Sequence, residues 1–205
     1  MKFIINLLIV TLSLIFIAKR LGITKKKFHI NVFFFFTNLS IILAMLFGIS
    51  ELIYSSNTIL KEYLKLYLVT YITIVMLVYN LVLAPKAKKD KLNYDLYSIY
   101  DIIAHIIVPI LVIVEWIFFS PHQTLSLTAI FFGLIFPLLY CGLVFLKVIT
   151  KKGKVFKHSN NHYPYFFFEI ETYGTKKVIF NIISLLVILL LFILVLILIN
   201  NYLLI

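Results

Sequence analysis

The chain has 205 residues, 63% of them hydrophobic and 13% charged, a balance outside that of water-soluble globular proteins and inside that of membrane proteins. A formal net charge of +11 would suit nucleic acid in a soluble protein. Here the lysines flank apolar runs, where they meet anionic lipid head groups and set topology, so nucleic acid is set aside. The single cysteine, Cys141, excludes an intramolecular disulfide and a soft-metal cluster and reads as a small packing residue.

Six stretches are long enough, or nearly so, to cross a hydrocarbon layer of about 30 Å at about 1.5 Å per helical residue. In chain order they run near Phe3 to Ala18, Phe33 to Ile53, Tyr63 to Ala84, Ser98 to Phe119, Thr124 to Ile149 and Val178 to Ile199. The first is short, but Lys19 and Arg20 follow it where a signal peptide would place small residues for cleavage, so it is expected to stay attached. The fold expected is all-α: one polytopic domain over residues 1–205, a bundle of six transmembrane helices.

Alternate connections differ sharply in charge. The first, third and fifth, with their adjoining helix ends, carry 5, 4 and 7 Lys or Arg, against 3 for all the remaining segments together. The positive-inside rule then puts these three connections in the cytoplasm and both termini outside. The clusters Lys25 to Lys27 and Lys86 to Lys91 are read as topology and head-group charges. The fifth connection is the long cytoplasmic loop between helices five and six. Its aromatic centre, Tyr163 to Phe168, is too short to span and is interrupted by Pro164, which suits the membrane interface.

Polar side chains inside a span are costly unless they face protein or an aqueous cavity, so their angular positions carry information. On the second span Thr37, Ser40, Ala44, Gly48 and Glu51 fall within an arc of about 80° at 100° per residue. This stripe is expected to face the bundle, with Asn38 off it and nearer the interface. On the fourth, Asp101, His105, Pro109, Glu115 and Trp116 fall within about 120°. Pro109 has no N–H, so the His105 carbonyl loses its helical donor and the helix can bend beside the imidazole. By the proposed topology Thr37 and His105 enter from the same side and stand at similar depth. Tyr140 and Pro137 of the fifth span, and the Tyr163 and Tyr165 segment, are expected at that level too.

A hydroxyl beside an imidazole away from bulk water is the minimum equipment for nucleophilic acyl transfer, the base taking the hydroxyl proton as oxygen attacks a carbonyl. Asp101, one turn before His105, is a candidate to orient the ring, although an acidic residue at a helix start also suits the dipole. Other readings stay open. Thr37 can serve as helix glue. His158 and His162, spaced i and i+4, could join His105 or Glu169 around zinc, but they lie in a polar loop, and neither metal nor cofactor is expected. Glu51 and Glu115 read as interfacial carboxylates beside an aqueous vestibule, or as an ion path.

The segments "FFTNLS" with Thr37, "VTYITIVMLVYNLVL", "DIIAHIIVPILVIVEWIFF" with His105, and "YPYFFFEIETYG" resemble successive landmarks of bacterial six-helix proteins related to the androgen-induced and androgen-dependent TFPI-regulating membrane proteins. The resemblance runs from the second helix to the start of the sixth. It implies an intramembrane threonine hydrolase of the bacterial cytoplasmic membrane, cleaving fatty acid esters of hydroxy fatty acids or similar lipid-like esters. Thr37 would correspond to the nucleophile and His105 to the general base. Membrane lipids and the ester are then the partners, and Asn38, Ser40, Asp101, Glu115, Tyr140, Tyr163 and Tyr165 are the supporting candidates. Ser40-Ile41 stands where these bacterial relatives more often have Ser-Asn, and Glu115 where Asp is usual. The alternative is a non-enzymatic carrier or lipid-binding protein whose polar faces line a pathway.

Overall fold

A computed structural model describes residues 1–23, 28–54, 57–90, 96–150 and 163–203. Among the described residues the chain is helical without strands, and six helices are long and apolar enough to span a membrane: α1 Lys2–Leu21, α2 Phe36–Ile53, α3 Ile59–Lys89, α4 Ile99–Phe119, α5 Ala129–Thr150 and α6 Thr175–Tyr202. It is an integral membrane protein.

The chain divides into two compact units, Met1–Leu125 with Asn200–Ile205, and Ser126–Ile199. In the first, α1 packs against α2 and α4, and α3 packs against the same two helices. These four therefore form a ring in which α2 and α4 face each other across the middle. Small residues set the closest approach. An added Cβ at Gly48 of α2 would meet Val10 Cγ2 of α1 at 2.9 Å and the Asn6 carbonyl at 3.5 Å, so a larger residue there would press on the Val10 side chain.

α1 ends where Gly22 takes the left-handed conformation (φ 75°) and returns its N–H to Ala18 and Lys19, the cap that suits glycine. A 3₁₀ turn, Ile30–Phe34, then leads into α2, so the apolar run expected to begin the second span at Phe33 is partly a separate turn.

α3 and α4 are not regular throughout. Each contains one π-turn, Tyr79–Leu83 and Ile103–Ile107, closed by an N–H reaching back five residues: Ala84 to the Tyr79 carbonyl, and Val108 to that of Ile103. The next residue in each case is a proline, Pro85 or Pro109. The widened turn skips one carbonyl and the proline cannot serve the next, so two consecutive carbonyls per helix lose the donors of regular α geometry.

The second unit holds α5 and most of α6, joined by the segment around Tyr163. There Tyr165 stacks on Phe167 at 5.2 Å, while Tyr163 meets Phe145 edge-on at 6.0 Å and Tyr140 lies 6.5 Å from Phe168. A 3₁₀ turn at Phe166–Phe168 and the Asn181 amide on the Phe167 carbonyl hold this aromatic cluster in place.

Candidate functional site

The polar residues of the first unit collect in two layers at opposite ends of the ring. One layer contains His105, in the π-turn of α4 and 5% exposed. Its Nδ1 lies 3.0 Å from the carbonyl oxygen of Asp101, four residues back. An acceptor at that distance fixes Nδ1 as the nitrogen that carries hydrogen, so in the neutral ring the basic lone pair is on Nε2. The Tyr79 ring lies flat on the imidazole, with centroids 3.6 Å apart and planes 9° from parallel. The π-turn of α3 thereby supplies the surface that sets the imidazole plane.

The His105 carbonyl, deprived of its helical donor by Pro109, accepts instead from the Asn80 amide at 3.1 Å. The same amide nitrogen donates to the Met76 carbonyl of its own helix at 2.8 Å. The two π-turns are thus joined twice, ring to ring and amide to carbonyl. Asp101 does orient the ring, but through its main-chain carbonyl, which any residue at that position would offer. Its own N–H is capped by the Ser98 hydroxyl.

Across the ring, Thr37 stands buried in the first turn of α2. No side-chain oxygen caps that turn. Asn38, off the stripe by its angle, is buried as well. It is 1% exposed, because its Nδ2 turns back to the Val32 carbonyl of the preceding 3₁₀ turn at 2.7 Å. Asn38 Oδ1 and the Ser40 hydroxyl are both buried with no hydrogen-bond partner. The rest of the predicted stripe, Ala44, Gly48 and Glu51, is buried as expected. Tyr140, Tyr163 and Tyr165 belong to the second unit's aromatic cluster. Burial pushes the Tyr163 phenol above its ordinary range, helped by Glu171 and Glu169.

The second layer lies about 15 Å along α4 from His105, ten residues at the helical rise. Lys65 of α3 is 2% exposed and contacts Glu115 at 2.9 Å and 3.1 Å, the Ser120 hydroxyl at 2.7 Å and Glu51 at 3.9 Å. Glu51 in turn holds Lys2 at 2.7 Å and Lys61 at 2.8 Å. Every helix of the ring contributes to this network. A cavity of about 10 Å³, lined by Asn6, Phe47, Gly48, Lys65 and Glu115 among others, leaves room for about one water. Glu51 and Glu115 are therefore buried members of an ion-pair network. Beside this layer His122 Nδ1 pairs with Asn200 Oδ1 at 2.8 Å, and Asn200 Nδ2 donates to the Gln123 carbonyl.

His158 and His162 lie outside the described residues. Among the described residues no group of three His, Cys, Asp or Glu is arranged to hold a metal ion. Sequence reasoning passed over Lys65, Tyr79 and Asn80. The signals were a lysine one turn after Glu62 in an apolar run, and a Tyr-Asn pair five to six residues before a proline in the third span, echoing the His105 and Pro109 spacing of the fourth. No family model, curated protein or solved structure matches the chain.

Proposed function

We propose that the protein is an intramembrane ester hydrolase in which Thr37 is the nucleophile and His105 the general base. The observation that carries this reading is the fixing of the imidazole between the Asp101 carbonyl and the Tyr79 ring, which leaves Nε2 as the proton-accepting atom. Supporting it, Thr37 is buried on the helix that faces α4 across the ring. It also stands at the same end of the ring, since it opens α2 while His105 lies near the start of α4, two helices that run in the same direction.

In this mechanism His105 Nε2 takes the Thr37 hydroxyl proton as Oγ1 attacks the ester carbonyl, and the oxyanion is met by the N-terminal turn of α2, where backbone N–H groups and the helix dipole favour negative charge. The alcohol leaves with the proton returned by His105, and water then hydrolyses the acyl-threonine by the same route in reverse. The substrate class is a lipid-like ester, such as a fatty acid ester of a hydroxy fatty acid, its acyl chains lying among the exposed leucine, isoleucine and phenylalanine side chains of the helices. The unequal charge of the connections assigns the His105 end to the cytoplasmic side and both termini to the outside.

The test is release of fatty acid from such an ester by protein purified in detergent, with a fluorophosphonate probe reporting the nucleophile. Thr37→Ala abolishes both labelling and turnover, and His105→Gln lowers turnover about 10²- to 10⁴-fold, the usual worth of a general base. Labelling that persists in Thr37→Ala refutes the assignment.

A further inference from the structure

His122 stands in the connection that follows α4, in the left-handed backbone region (φ 42°), which a residue other than glycine keeps only where its surroundings hold it. The imidazole supplies that hold. Its Nδ1 faces Asn200 Oδ1 at 2.8 Å, and its Nε2 faces the Ile117 carbonyl oxygen at 3.3 Å. Asn200 cannot turn round to present a donor, because its Nδ2 is engaged by the Gln123 carbonyl at 2.9 Å. Both ring nitrogens therefore point at acceptors, and only the doubly protonated ring satisfies both.

Such a cation, 9% exposed, needs an opposite charge nearby. Glu62 of α3 has the complementary need. It is 3% exposed, its Oε2 is buried with no hydrogen-bond partner, and among the described residues no cation lies within 4.0 Å of its carboxylate. The charged and titratable groups around it are Lys65, His122, Glu115 and Glu51. Lys65 is engaged by Glu115, while Lys2 and Lys61 both close on Glu51. That leaves His122, among the described residues, to balance Glu62.

We propose that His122 and Glu62 form a buried proton site, in which the doubly protonated imidazole ties the last turn of α4 to the end of α6 and Glu62 balances its charge. Binding of the proton adds an N–H at Nε2, and with it the bond to the Ile117 carbonyl. Its release leaves only the Nδ1–H bond to Asn200, so the ring no longer bridges the two helices. The tie is made below the midpoint of this titration and lost above it. Asn201, which exchanges two bonds with Leu125, holds the same connection at either pH. The site lies beside the Lys65 layer, away from Thr37 and His105, and does not depend on the protein being a hydrolase.

Trp116, the only tryptophan, meets the His122 ring edge-on with centroids 5.8 Å apart, and an imidazolium quenches a neighbouring indole far more strongly than a neutral imidazole does. Fluorescence of the whole protein in neutral detergent, followed from about pH 5 to about pH 9, therefore reports the ring. Wild type is expected to brighten in one step as pH rises. His122→Asn, a residue the left-handed backbone accepts, is expected to stay bright throughout. Glu62→Gln moves the step down by about one pH unit, the effect of losing an opposite charge. Wild type also unfolds at a lower mole fraction of SDS above the step than below it, and His122→Asn loses most of that difference.

Wild-type fluorescence that stays flat over this range overturns the proposal, since the ring then exchanges no proton. So does a step that survives in His122→Asn, or one that Glu62→Gln leaves in place. Should His122→Asn fail to fold, biosynthetic replacement of histidine by the near-isosteric, weakly basic 2-fluorohistidine decides the matter in its stead. The step is expected to vanish with the imidazolium, and a step that persists shows that a different group beside Trp116 is titrating and overturns the proposal.

Discussion

Replacement of Lys65 by methionine keeps the volume of the side chain and removes its charge. Lys65 is the cation that meets Glu115, at 2.9 Å and 3.1 Å, and both side chains are nearly inaccessible. Without it the Glu115 carboxylate is left buried and uncompensated, a change that costs about 3–5 kcal/mol. The reverse deletion is milder. In Glu115→Gln the ammonium retains the Ser120 hydroxyl at 2.7 Å and Glu51 at 3.9 Å, and the amide oxygen still accepts, so the loss is about 1–3 kcal/mol.

Removing both charges together, in Lys65→Met with Glu115→Leu, restores stability to within about 1–2 kcal/mol of wild type, because an apolar pair needs no compensation. Denaturation by increasing mole fraction of SDS in mixed micelles measures all four proteins. The only tryptophan, Trp116, is next to Glu115 in sequence and fully buried, so its fluorescence reports unfolding at the site in question. A single Lys65→Met within about 1 kcal/mol of wild type, or a double variant as unstable as that single one, refutes the account of this layer.

Asn80→Leu removes the donor of the His105 carbonyl. It is expected to destabilise by about 1–3 kcal/mol and, by loosening the imidazole, to lower turnover of the ester more than Asn80→Gln does; equal effects of the two substitutions would count against the bridge. Gly48→Leu forces a side chain into a space where even a Cβ meets Val10 at 2.9 Å, so α1 and α2 must separate at a cost of about 1–3 kcal/mol in the same SDS titration. The Tyr163 phenol, raised by burial, contributes an alkaline sensitivity. Stability from keeping it neutral is present below the ordinary tyrosine pKa of about 10 and is lost as pH rises through the higher folded value. Tyr163→Phe is expected to flatten that part of the stability profile, and an unchanged profile contradicts it.

The six spans follow from apolar length, which is why their positions agree with the structure to within a few residues, apart from the extra turn that α3 gains at each end. Burial of Thr37, Ser40, Ala44, Gly48 and Glu51 follows from angular position alone, since a helix cannot turn such a stripe toward lipid cheaply. The π-turn in α4 did not spoil the corresponding reading there: Asp101, His105, Pro109, Glu115 and Trp116 are all buried, and the widened turn brings Ile103, Ala104 and Val108 inside as well. Partner identity was less legible. Lys65 sits seven residues into α3, where a lysine can be taken to snorkel, and only the neighbouring helices reveal that two carboxylates wait for it. The same holds for Asn38, whose acceptor lies in a 3₁₀ turn that reads in sequence as more of the span. Arg20 reads in sequence as a topology charge, whereas its guanidinium sits between the Phe16 and Phe35 rings.

The paired π-turns give the ring a crease. Both interruptions stand at one height and are laced together through Asn80 and the Tyr79–His105 stack, so the segments beyond them can tilt as a set. At the far end the Lys65 network clasps all four rods and resists splaying. Splaying of the four rods is therefore cheapest at the end that bears the imidazole, and the clasped end resists it.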